Sequence, residues 1–381
     1  MSVPPLSVNS DDLVTVSTGK VEAKRVLSVQ SHVCSGYVGN KAATFPLQLL
    51  GWNVDVVNTV QFSNHTGYGH TAGTRTTAAD LKSIFGGLKS NGLLKAGRLL
   101  TGYIPGGEAV QVVGKLAQLI IQERDASSKD RLIYVLDPVM GDHGTLYVAE
   151  SVIPIYRSLL HLATIVTPNQ FEAETLASQQ ITTPQSLQEL LQSLHKTYRI
   201  PHIIISSFTL ATPFPASLLP GPPVRYIQKL SSLPIKEEQL WESYPLLYSV
   251  ASTWDVEREE LVETVVFQFP QIKGYFSGVG DLFSALTLAH YNPDTDATVA
   301  RAASKALFST QQVLLSTHLS LAENREEEEN EGSDEEKDGE DRSRRVKRMR
   351  RRELRVVDLE SRGDLTDGEG WNGQKVDLSS L

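Results

Sequence analysis

The sequence predicts an α/β fold: a mainly parallel sheet covered by helices on both faces. Apolar, β-branched runs recur along the chain, helical patterns separate them, and glycine or small polar residues punctuate the junctions. RVLSVQS (25–31) is the first strand. In the stretch from Asn40 to Leu50, Ala42, Ala43, Phe45, Leu47 and Leu49 form an apolar helix face, and Gly51 stops the helix. NVDVVNTVQF (53–62) is the next strand, and further strands are expected at 132–139, 164–169, 202–207 and 263–269. Helical patterns fall at 78–90, 107–123, 150–160, 170–178, 184–197, 281–291 and 297–319.

Between these, ATPFPASLLPGPPV (211–224) is proline-rich. Each proline removes a ladder donor, so 208–260 is expected as surface connection rather than sheet. Four segments follow: a loose arm over 1–22, a folded domain over 23–322, a disordered charged insert over 323–352, and a return to the domain over 353–381. The insert opens with twelve acids against two bases (Glu323 to Asp341) and closes with eight bases and no acid (Arg342 to Arg352). Such blocks repel themselves and bury no core. A strand-like pattern resumes in ELRVVDLESRGDLTDGE, so the insert is expected to precede the last strand.

The 381 residues are 40% hydrophobic and carry a net charge of -9, which argues against a general nucleic-acid binder. The single cysteine, Cys34, excludes an intrachain disulfide framework, as expected of a reducing compartment. No apolar run approaches the roughly 20 residues that span a bilayer. With no secretory pattern at the start, a cytoplasmic protein is expected, and the sequon at Asn64 carries no glycan. RRVKRMRRR admits three readings: a nuclear-import signal, a phosphate-binding patch, or a solvated block neutralised by its acidic neighbour.

Four clusters carry chemistry. In SGVGDLFSALTLAHY (277–291), Gly278 and Gly280 permit close backbone approach at the start of a helix, where amides and dipole favour an anion. Asp281 at its edge suits a base for a hydroxyl attacking a phosphoryl group; the alternative is a helix cap. In LDPVMGD (136–142), Asp137 and Asp142 follow a strand and offer hard oxygens suited to Mg²⁺; turn formation is the alternative. In TPNQFEAE (167–174), Thr167, Asn169 and Glu172 stand at a strand end and first helical turn, and can serve a metal or cap a helix. Ser206 and Ser207 end another strand. Gly36 to Lys41 lacks P-loop spacing, the nine histidines show no H-E-x-x-H, and no G-x-S-x-G is present.

Together, RVLSVQSHVCSGYVGNKAATFPLQLLGWNVDVVNTVQFSNHTGYGH, LTGY, YVLDPVMGD, IVTPNQFEAE and GVGDLFSA resemble the pyridoxal kinases of the ribokinase-like superfamily. The likeness runs from about residue 24 to 207, resumes at 263–320 and is faint at 353–368. It implies a three-layer αβα sandwich with a small β lid, working as a homodimer. It implies transfer of the γ-phosphoryl group of ATP to the 5′-hydroxymethyl of pyridoxal, pyridoxine or pyridoxamine in vitamin B6 salvage, with Mg²⁺ and K⁺. Ser31 would bond the pyridine edge, Thr66 and His65 would meet the ring substituents, and Val38 and Tyr103 would wall the ring. Asp137 would sit by the ATP phosphates and the monovalent cation, and Asp142 by Mg²⁺. Thr167, Asn169 and Glu172 would complete that network, Ser206 and Ser207 would reach the nucleotide, and Asp281 would deprotonate the substrate hydroxyl. The amides of Gly278, Val279 and Gly280 would hold the charge.

Two departures stand out. Val279 replaces the family's usual threonine and offers no hydroxyl, and the loop after Asp142 (HGTLYV) is short, with Tyr147 as its aromatic. Two competing readings are a kinase of hydroxymethylpyrimidine with the same base, and a degenerate kinase fold acting as a binding protein.

Overall fold

The computed structural model describes residues 21–124, 131–231, 245–272, 274–296, 298–322, 339, 341–366 and 368–380. In chain order the first elements are β1 (Glu22–Val33), α1 (Asn40–Leu49), β2 (Asn53–Phe62), β3 (Gly73–Arg75), α2 (Ala78–Ser90), β4 (Ala96–Thr101), α3 (Gly107–Gln122) and β5 (Ile133–Leu136). Next come the short β6 (Gly141–Asp142) and β7 (Thr145–Leu146), α4 (Ile153–Leu159), β8 (Ile165–Val166), α5 (Gln170–Ala177), α6 (Pro184–Tyr198) and β9 (His202–Phe208). The chain ends with α7 (Val224–Ser231), β10 (Leu246–Asp255), β11 (Glu260–Pro270), α8 (Val279–His290), α9 (Val299–Ala322), α10 (Arg342–Arg351), α11 (Leu359–Thr366) and β12 (Gly373–Lys375).

Ten strands form one sheet in the order β12-β11-β10-β9-β8-β5-β4-β1-β2-β3. The six from β9 to β2 are parallel; β3, β10, β11 and β12 pair antiparallel at the two flanks. β1 shows why the sheet needs two helical layers. Leu27 and Val29 pack under α2 and α3, while Val26 packs under α1 and α8 with Leu282 and Leu286. A strand buried on both faces lacks the polar alternation of an exposed one. All parallel strands end at one edge of the sheet, and the loops there carry the predicted functional residues.

Several expectations are corrected. The segment 208–260 is not only connection. Its prolines from Pro213 to Pro223 do lie in a loop, but β10 joins the sheet between β9 and β11. Its signal was masked by Ser249 and Ser252, buried polar residues whose hydroxyls bond the Ile205 carbonyl (2.9 Å) and His195 Nε2 (2.8 Å). β4 was also missed, because buried Arg98 interrupts its apolar run; the guanidinium lies over the Trp52 ring and bonds the Leu288 carbonyl. The basic run 342–352 was expected to be disordered, yet Arg342–Arg351 is helical. Asp341 caps it by accepting from the Ser343 (2.8 Å) and Arg344 (3.2 Å) amides, and Met349 is buried. The last strand is Gly373–Lys375, not the run after Glu353, whose latter part is α11. β1 begins at Glu22, inside the expected arm. Residues 1–20 of that arm and nearly all of the acidic block lie outside the described residues.

Candidate active site

Ser31 lies near the end of β1, where the register with β2 shifts between Gln30 and His32. The chain then turns through Gly36–Gly39 into α1. Gly39 has φ +53°, and a Cβ there would strike Ser31, so only glycine fits. Asn40, buried at the head of α1, bonds the Gln30 carbonyl (3.2 Å), the Val57 carbonyl (3.1 Å) and Asn58 Oδ1 (2.9 Å), tying β1 to β2 beneath the loop. Val38 is half-buried in this turn.

After β2, Asn64 shapes the loop carrying His65 and Thr66. Its amide group donates to the carbonyls of His65 (3.0 Å) and His70 (2.8 Å). Thr66 is exposed and opens a short 3-10 turn, while His65 is buried and accepts from the Gly67 amide (3.2 Å). Tyr103, half-buried after β4, is fixed by Thr59 Oγ1 bonding its carbonyl (2.7 Å). Because β4, β1 and β2 are neighbours, Ser31, Val38, His65, Thr66 and Tyr103 belong to one end of the sheet.

The neighbouring parallel strands β5, β8 and β9 supply the second group. Asp137 follows β5 and is 4% exposed; Ser284 of α8 donates to its Oδ2 (2.9 Å) and lies 2.9 Å from Thr167 Oγ1. Asn169 and Glu172 form a capping box on α5, with each side chain accepting the other's backbone amide (2.9 and 3.0 Å). Glu172 Oε1 also accepts from Met140 (2.9 Å), and Asn169 Nδ2 donates to the Gly141 carbonyl (2.8 Å). Glu172 is thus taken up by backbone donors. The capping reading describes its geometry, and it locks α5 to the Met140–Asp142 turn. Among the described residues, no group of three His, Cys, Asp or Glu side chains is arranged to hold a metal by itself.

Asp142 lines a cleft of about 430 Å³ together with Asn169, Ser207 and Val279. The remaining walls come from residues that spacing did not single out, among them Thr209, Gln271, Ile272, Phe276 and Gln311. They lie on three separate stretches of chain, so no local motif marks them. Ser206 is not on that wall; its amide bonds the Pro168 carbonyl (3.0 Å). His143 and Gly144, both with positive φ, make the tight turn between β6 and β7 beside the cleft.

Between the two groups stands the start of α8. Gly278 has φ +85°, and a Cβ there would run into the Tyr37 carbonyl. No side chain caps α8, so its leading amides face the site. Asp281 does not cap its own helix; Oδ2 accepts from the Gly39 amide across the site (2.7 Å). Burial pushes the Asp281 carboxyl above the ordinary range, opposed by the Gly39 amide. Burial, then the charges of Glu172 and Asp281, pushes Asp137 up strongly, and burial pushes Glu172 to about 8 against its backbone donors. Crowded acids buried behind a cleft that Asp142 lines are a natural seat for a cation shared with an anionic ligand.

The bovine pyridoxal kinase is 36% identical over 280 residues, covering 72% of this chain and 80% of the relative. The chain belongs to the pyridoxal kinase family. The structure of the family's member from Leishmania donovani in complex with ADP and ginkgotoxin superposes with a TM-score of 0.71 at 29% identity, covering 93% of this chain and all (100%) of the other. The same enzyme in complex with ADP and pyridoxamine gives 0.70 at 30% identity, covering 93% and 100%. The profile of the family described as phosphomethylpyrimidine kinase matches residues 111–215. The ribokinase-like architecture is that of these pyridoxal kinases.

Proposed function

We propose that this protein transfers the γ-phosphoryl group of ATP to the 5′-hydroxymethyl of pyridoxal, and also of pyridoxine and pyridoxamine. The observation that carries this is the placing of Asp281. Its carboxylate is turned away from its own helix and bonded to Gly39, between the cleft at Asp142 and the loops of Ser31 and His65. ATP would lie in the cleft with its phosphates toward the leading amides of α8. The B6 compound would lie among Ser31, Val38, His65, Thr66 and Tyr103. Asp281 would accept the hydroxyl proton as the oxygen attacks, and the Gly278–Gly280 amides would stabilise charge on the transferred group.

Asp142, half-exposed on the cleft, and Asp137 fit Mg²⁺ by their oxygen donors and by the charge crowding there. When bound, the ion would neutralise phosphate oxygens. Thr167 would serve K⁺, with Asn169 and Glu172 holding the turn that presents Asp142. The relative from Leishmania donovani, whose structures hold ADP with pyridoxamine or with pyridoxine, supports the substrate classes. We also read the protein as a cytoplasmic homodimer, with light scattering as the check on assembly.

The test is ATP-dependent formation of pyridoxal phosphate by the purified protein, with and without Mg²⁺ and K⁺. Asp281→Ala should lower kcat by about 10²- to 10⁴-fold with little change in the KM for ATP. Turnover in the variant equal to wild type would remove Asp281 as base. Phosphorylation of hydroxymethylpyrimidine but not of pyridoxal would overturn the substrate.

A further inference from the structure

Glu353 lies just beyond the basic helix α10, and its carboxylate reaches three groups around the substrate side of the site. Oε2 accepts from the Tyr37 amide (3.0 Å), and Oε1 accepts from the Tyr68 hydroxyl (2.9 Å), 285 residues away in sequence. His65 Nε2 stands 3.2 Å from the same Oε1. The other ring nitrogen, Nδ1, accepts from the Gly67 amide and faces Ser277 Oγ, each at 3.2 Å. A neutral imidazole has one donor and one acceptor, so the Gly67 bond leaves the proton on Nε2, pointing at Glu353. Burial works against this carboxylate's charge, but the His65, Tyr68 and Tyr37 donors outweigh it and hold the group below its usual range.

Helix α10 delivers the carboxylate. Met349 is buried, and a Cβ on Gly67 would touch its sulfur; Arg345 Nε bonds the Gly67 carbonyl (2.7 Å). The C-terminal segment therefore grips both loops that frame the substrate side, and through His65 it reaches Ser277 at the head of α8.

We propose that Glu353 is a positioning residue for the B6 substrate. It fixes the Nε2-protonated form of His65 and clamps the Gly36–Val38 turn, the His65–Tyr68 turn and the start of α8 into one preformed wall. This rests on the reading of His65 and Thr66 as substrate-side residues.

Steady-state kinetics on Glu353→Ala, Glu353→Gln, His65→Ala and the His65→Ala/Glu353→Ala pair test it. Glu353→Ala should raise the KM for pyridoxal about tenfold, the scale of losing a hydrogen bond to a charged group, and leave the KM for ATP unchanged. Glu353→Gln keeps one oxygen for His65 and Tyr68 but sets an NH₂ against the Tyr37 amide, so it should recover part of that loss and not all of it. The double variant should lose less than the sum of the two single losses, because the two residues share a contact. Should the alanine variant not fold, Glu353→Asp draws the carboxylate back by one methylene and should give the same split. An unchanged KM for pyridoxal, an equal rise for both substrates, or additive losses would overturn the proposal. If His65→Ala raises the pyridoxal KM and Glu353→Ala does not, only the role of Glu353 falls. If His65→Ala leaves it unchanged, the substrate-side reading falls and this proposal with it.

Discussion

Asp281 and Glu172 are both acids in the first turn of a helix, and their surroundings give them opposite uses. Glu172 closes a capping box and accepts amides from the Met140–Gly141 turn, so its oxygens are committed to backbone. Asp281 starts a helix that no side chain caps and bonds only the Gly39 amide among the described residues, through Oδ2. That leaves a carboxylate oxygen for a substrate proton. The raised pKa values carry signs that can be checked. Glu172, pushed to about 8 in the folded protein from an ordinary value of 4.5, keeps a proton that the unfolded chain releases. Its contribution to stability is therefore lost as pH rises toward 8, and Asp137 acts in the same direction. In the metal-free protein the Tm should fall between pH 6.5 and 8, and Glu172→Gln should flatten that fall; an unchanged slope would show that Glu172 is already ionised.

At the scale of elements, the informative cases are those where a segment's own pattern and its surroundings disagree. Helix α10 has a strongly polar sequence that propensity alone would leave frayed. Asp341 caps it, and one apolar residue, Met349, docks it against the turn of Thr66–Tyr68. Replacing Met349 by Asp would bury an unpaired charge at that contact, which costs more than the docking gains. Met349→Asp should raise the KM for pyridoxal as Glu353→Ala does, while the main unfolding transition, carried by the sheet, stays in place. Circular dichroism melts beside the kinetics would show both. β10 gives the converse lesson: its serines read as loop because their partners, Ile205 and His195, come from other elements.

Over the whole molecule, the parallel centre of the sheet sends every strand end to one edge, so residues from 31 to 281 share a site. Two histidines sit where β9 meets the antiparallel flank, His195 buried on α6 and His202 half-buried at the start of β9. His195 sits between the Ile200 carbonyl (2.6 Å) and Ser252 (2.8 Å), and His202 bonds Tyr291 (3.1 Å) and Thr253 (3.2 Å). Burial holds both at about 4, below the ordinary 6.5. The unfolded chain takes up these protons first, so stability drops as pH falls from 6.5 toward 4, opposite in sign to Glu172. Thermal melts of His195→Asn should show a shallower dependence in that window than wild type; an equal slope would exclude His195 as a source.

The αβα class, the order of the strand-end clusters and the Gly-rich start of α8 were legible in the sequence, because period, glycine and strand-end position are local properties. The same locality explains why Gly278 and Asp281 were found together. Which acid caps a helix and which faces the site was not legible, since Asn169 with Glu172 and Gly280 with Asp281 look alike until their amide partners are known. Neither was the cleft wall of Thr209, Ile272 and Gln311, assembled from separate segments. Glu353 is the extreme case. In sequence it only opens the strand-like run that follows eight basic residues, and only the fold brings it to His65, because hydrogen bonds act over about 3 Å whatever the distance along the chain.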